Sequence, residues 1–142
     1  MQNHSKYAMD FHFKNLFGVI IFAVIILGCS YDIKSAEEFS GIKLKNNVII
    51  KKDTSYWNDF NGNGFKYVVF EPKDEQSFKL IINNAKSLNF KKFNANQYPD
   101  PELRQLLKNG KGYFKFEWHN NETKTFVIDT VNKKIIYYYV VM

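Results

Sequence analysis

Just before the final Met142 stands Lys134-Ile135-Ile136-Tyr137-Tyr138-Tyr139-Val140-Val141, a strand-like segment that is apolar at odd and even positions alike. Successive side chains of a strand point to opposite faces, so this one carries bulky apolar groups on both. It is confined to the interior of a sheet or the underside of a helix, since at an open edge it would template pairing with other chains. The material to bury it is present: 14 Phe, 9 Tyr and 2 Trp among 142 residues, with 45% apolar against 24% charged types. That balance belongs to one globular domain and not to a disordered tail.

The segments before it alternate. Phe114, Phe116 and Trp118 share one face of a strand while Tyr113, Lys115 and Glu117 take the other. His119-Asn120-Asn121-Glu122 and Thr130-Val131-Asn132-Lys133 read as the turns of a meander. Upstream, Val48–Lys52 and Phe65–Glu71 read as two further strands, separated by the polar stretch Asp53–Gly64. Within it Asn61-Gly62-Asn63-Gly64 is a turn signal, because Asn and Gly tolerate positive φ. Pro72 ends the second strand. Asp74 then caps a helix whose apolar residues Phe78, Ile81, Ile82, Ala85 and Leu88 fall on one stripe. Asp100-Pro101 opens a shorter helix that carries Leu103, Leu106 and Leu107 and closes at Gly110. The expected architecture is α+β with the order ββααβββ: a mostly antiparallel sheet with the longer amphipathic helix packed on it.

A different chemistry occupies the first thirty residues. Lys14 precedes an almost unbroken apolar run from Leu16 to Leu27, followed by Gly28 and then Cys29, the one cysteine of the chain. Basic, apolar and small, in that order, is the layout of a secretory leader, and the run falls short of the roughly 20 residues a helix needs to cross a bilayer. Ile26-Leu27-Gly28-Cys29 resembles the lipobox of bacterial lipoproteins, although Ile26 and Leu27 nearly reverse that family's usual order of Leu and then a smaller residue. The resemblance implies that the Cys29 thiol receives a diacylglycerol, that a peptidase cuts before it, and that residues 1–28, counted from Met1 or shortened to begin at Met9, are removed. It implies a cell-envelope protein held to the membrane by its covalent lipid. Ser30 resembles the residue found after the cysteine in lipoproteins sent to the outer membrane, where an organism has two membranes. Each buried acyl CH₂ contributes about 0.8 kcal/mol, and two chains anchor stably where one binds reversibly.

Removal of residues 1–28 leaves 18 basic and 13 acidic residues and a single histidine, His119. One histidine and a lipidated cysteine cannot assemble a multi-His metal centre or a Cys–His nucleophile within one chain, so neither a metal nor another cofactor is expected. Ser30–Gly41 is polar and weakly patterned, which gives a lipidated, flexible tether over 29–45 and one α+β domain over 46–142. A second, looser resemblance spans most of that domain. Asp53-Thr54, Gly62-Asn63-Gly64-Phe65, the helix Phe78–Leu88, Gly112-Tyr113-Phe114 and the stretch from Asp129 to Tyr139 look like the corresponding pieces of small secreted bacterial proteins and lipoproteins of unknown function. It implies a shared fold and carries over no catalytic residue.

The sharpest chemical candidate is Asp59-Phe60-Asn61-Gly62-Asn63-Gly64, which fits the opening of a calcium loop. An EF-hand needs an acid at the twelfth position, which is Phe70, and helices at its flanks in place of strands, so the segment is read as a hairpin turn. Asp53, Asp59, Glu71, Glu117 and Glu122 show no spacing that would bring two carboxylates together for acid–base hydrolysis. The basic excess suits anionic headgroups or envelope polymers, whereas export and the lack of a recognition motif argue against nucleic acid. Trp57 stands out because it falls in the polar stretch, where an aromatic offers area with a polar handle. The expectation is therefore a non-catalytic envelope protein that binds or scaffolds another envelope protein or polymer through a loop carrying Asp53, Trp57, Asp59, Asn61 and Asn63. An inhibitor or immunity lipoprotein acting on a toxin or envelope hydrolase is the alternative.

Overall fold

The C-terminal segment becomes strand β6 (Lys134–Val141), one of six strands in a single sheet. The others are β1 (Val48–Trp57), β2 (Gly64–Pro72), β3 (Lys91–Asn94), β4 (Lys111–His119) and β5 (Glu122–Asp129). Their order across the sheet is β1-β2-β6-β5-β4-β3, and every neighbouring pair is antiparallel. Three helices complete the α+β chain: α1 over residues 32–40, α2 (Glu75–Ser87) and α3 (Pro101–Leu107). The computed structural model describes residues 32–58, 62–94 and 101–142, so Cys29 and the run before it, Asp59, Asn61 and Asp100 lie outside the described residues.

Both faces of β6 are covered. The register places Val68, Phe70, Phe126, Ile128, Ile135 and Tyr137 on one face, where they pack with Ala36 and Phe39 of α1 and Phe78, Ile81 and Ala85 of α2. On the other face Val69, Val127, Ile136 and Tyr138 pack under Leu103 and Leu107 of α3. Burial of each such side chain contributes roughly 1.5–3 kcal/mol, which makes these two layers the main source of stability.

The ends of α2 follow from its sequence. Asp74 caps it, its carboxylate accepting the Ser77 backbone N–H at 2.7 Å, and that hydrogen bond holds the Asp74 carboxyl below its ordinary range. Glu75 in the first turn binds Lys133 Nζ at 2.7 Å, and that contact lowers its own carboxyl in turn. Leu88 is the C-cap residue and is 48% exposed, so it does not continue the buried stripe.

Three expectations are corrected. The compact unit begins at Ile33, not at residue 46, and 32–40 is helical, so the tether expected over 29–45 does not extend through this stretch. Ala36 and Phe39 anchor the helix in the core, Ile42 and Leu44 follow them in, and Glu37 Oε1 accepts the backbone N–H groups of Leu44 and Lys45 at 2.6 Å each. The polar stretch Asp53–Gly64 is not one long loop. β1 runs on to Trp57, because Thr54, Ser55, Tyr56 and Trp57 suit a pleated surface and pair with Tyr67 to Gly64 in β2. Finally, α1 and the four-residue β3 turn the expected ββααβββ order into αββαβαβββ.

Candidate functional site

The length of α3 decides which part of the sheet stays open. Seven residues of helix span about 10 Å, whereas a nine-residue strand such as β4 spans roughly 30 Å. Beyond α3 the same face continues as two cross-strand rows. One is Tyr56, Phe65, Val140, Thr123 and Trp118, and the row nearer α3 is Thr54, Tyr67, Tyr138, Thr125 and Phe116, in which Tyr138 and Thr125 are buried. Tyr56 is 62% exposed, Trp118 68% and Phe116 50%. Aromatic rims therefore flank a lower floor of the half-buried Thr123 and Val140. Phe65 stacks on Tyr67 at 6.3 Å and lies 6.1 Å from Tyr56, which stiffens one rim. Lys52 Nζ sits 5.2 Å from the Tyr67 ring centroid.

The opposite face at this end is charged and paired. Lys66 meets Asp53 at 3.6 Å, Lys115 meets Glu117 at 3.0 Å and Lys124 meets Glu122 at 4.0 Å. Trp57 belongs to this face: its ring lies 6.1 Å from Tyr139, which in turn carries Lys124 Nζ at 5.5 Å. The Trp57 ring also explains Gly64, since a Cβ there would collide with Trp57 Cε3 and the Tyr56 carbonyl.

The residues singled out from the sequence are thus separated. Asp53 is a mid-strand residue of β1, paired opposite Val68, while Trp57 is the last residue of that strand. Asn63 lies in the hairpin, its carbonyl accepting the Asn58 N–H at 2.7 Å while Gly62 N–H donates to the Asn58 carbonyl at 3.0 Å. Cys29, Asp59 and Asn61 lie outside the described residues. The structure does not gather Asp53 and Asn63 into one loop, and Trp57 leaves the expected loop for a strand end. Sequence reading put Phe116 and Trp118 on one strand face but did not single that face out as an exposed rim. The shortness of the Leu103–Leu107 stripe was the signal that the far end of their face would be left uncovered.

Among the described residues no group of three or more His, Cys, Asp or Glu side chains is arranged to hold a metal ion. No helix of the described residues is long and apolar enough to cross a membrane. Comparison with protein-family models, with curated proteins and with solved structures finds no match.

Proposed function

We propose that this chain is a lipid-anchored cell-envelope protein whose α+β domain works by binding another envelope component, without a catalytic step. The observation that carries the reading is the apolar run Leu16–Leu27 closing on Gly28 and the one cysteine, Cys29. A thiol at the end of a short apolar run, next to a small residue, is where a diacylglycerol is attached in lipoproteins. The binding role is supported by the open rows of the sheet. Exposed aromatics at Tyr56, Phe116 and Trp118 offer contact area at low conformational cost, with the half-buried Thr123 between Tyr56 and Trp118 in one row.

The test is metabolic labelling with an alkyne-bearing palmitate in a bacterial host, comparing the native chain with Cys29→Ala. Label on the native chain and its loss in the variant are the expected results. Equal labelling of both, or of neither, would remove the anchor from the reading.

A further inference from the structure

β3 covers only part of β4. Its pairing begins with Lys91 opposite Phe114 and ends with Asn94 opposite Lys111, so among the described residues Lys115 to His119 form the sheet's outer edge on that side. Alternate residues of such an edge turn both N–H and C=O away from the sheet. Where β3 stops, a cleft of about 480 Å³ opens, lined by Leu88, Phe90, Lys91, Phe114, Lys115 and Phe116. Among the described residues its charged lining is Lys91 and Lys115, with no carboxylate. Lys115 is fixed there, donating to the Phe39 carbonyl at 2.7 Å and meeting Glu117 at 3.0 Å, whereas Lys91 is exposed on β3.

The geometry points to a strand-addition site: an extended acidic peptide from a partner protein lies antiparallel to Lys115–His119, in line with β3, and seats its apolar and acidic side chains in the cleft beside Lys91. Main-chain hydrogen bonds to the edge give the affinity and the cleft gives the selectivity. The exposed Lys91 ammonium selects an acidic side chain at its end of the added strand, and the flanking Phe116 and Trp118 rings cover that strand on one face. A second copy of this chain fits poorly. Antiparallel pairing through the same five residues centres on Glu117 and sets it directly against its own copy, a like-charge pair that is destabilising. This inference deepens the binding role proposed above and rests on it. Its test reads β4 and Lys91, while the anchor is read at Cys29, so either can fail alone.

The full chain, solubilised in detergent, is presented with a library of nine-residue peptides, and a fluorescent copy of the best-enriched sequence is titrated. Enriched peptides are expected to carry Asp or Glu and to lack proline over five consecutive positions. Lys91→Glu and Phe116→Lys, each checked for a native near-ultraviolet dichroism spectrum, are expected to weaken binding at least tenfold, and Trp57→Ala to leave it unchanged. A copy of the peptide N-methylated at alternate residues is expected to lose binding. The proposal is overturned by enrichment of basic or proline-rich sequences or by no enrichment. Undiminished binding by Lys91→Glu or by the N-methylated peptide overturns it too. So does a native dimer that Phe116→Lys dissociates, since the edge would then serve a second copy.

Discussion

Asp129 is the residue on which the local chain path depends most visibly. It is fully buried at the end of β5, where Oδ1 accepts the backbone N–H groups of Val131 and Asn132 at 2.9 and 3.1 Å. Its Oδ2 accepts the Asn132 side-chain amide at 2.7 Å, and that amide also donates to the Leu107 carbonyl at 3.0 Å. One carboxylate therefore shapes the β5–β6 turn and ties it to the end of α3. Gly110 is required beside it, because a Cβ at that position would strike the Asp129 carboxylate. Replacement by alanine strands buried donors, and Asp129→Ala is expected to destabilise the fold by about 3 kcal/mol in urea unfolding, with Asp129→Asn costing less because one acceptor survives. Equal unfolding midpoints for Asp129→Ala and the native chain would show that the turn forms without the carboxylate. In the sequence Asp129 was legible only as the start of a terminal strand pattern. Its role depends on the end of α3, where Leu107 lies 25 residues before Asn132, a contact no local pattern encodes.

At the scale of elements, the structure separates what local chemistry specifies from what packing specifies. Asp74 three residues before Ser77, with Phe78, Ile81 and Ala85 at helical spacing, marks α2 directly, and the double-faced KIIYYYVV marks β6. α1 gives no such sign, because Ile33, Ala36 and Phe39 are its few apolar residues and its stability comes from the sheet beneath. β3 is likewise only Lys91-Lys92-Phe93-Asn94, a strand by virtue of the β4 edge it meets. The end of β1 was hidden by polar composition, since Thr54 and Ser55 read as loop until β2 supplies their ladder. If α1 belongs to the core, Phe39 carries most of its docking: its ring lies 5.9 Å from Tyr137 and 4.9 Å from Lys115 Nζ, and its carbonyl accepts that lysine. Phe39→Ala is then expected to cost about 3 kcal/mol in urea unfolding and to raise amide exchange over residues 33–44. A tether would show neither effect, so an unchanged midpoint with already rapid exchange would contradict the packed helix.

Across the described residues from Ile33 onward, one sheet is covered on both faces at one end and carries the exposed aromatics Tyr56, Phe116 and Trp118 at the other. The α+β class and the antiparallel sheet were legible because strand periodicity and helix caps are local. The open end was not, because it depends on the mismatch between a seven-residue helix and the strands it covers. Asp53 and Trp57 were chosen for lying in a polar stretch, and the fold moves both into a strand on the face opposite Tyr56, Phe116 and Trp118. We propose that Cys29 holds this domain at a membrane and leaves its exposed edge to a partner. The deciding measurement is the intact mass of the chain purified from its native membrane. The predicted result is a polypeptide beginning at Cys29 with residues 1–28 gone and the added mass of acyl groups on that residue. A chain that retains its leader and carries no lipid would contradict it.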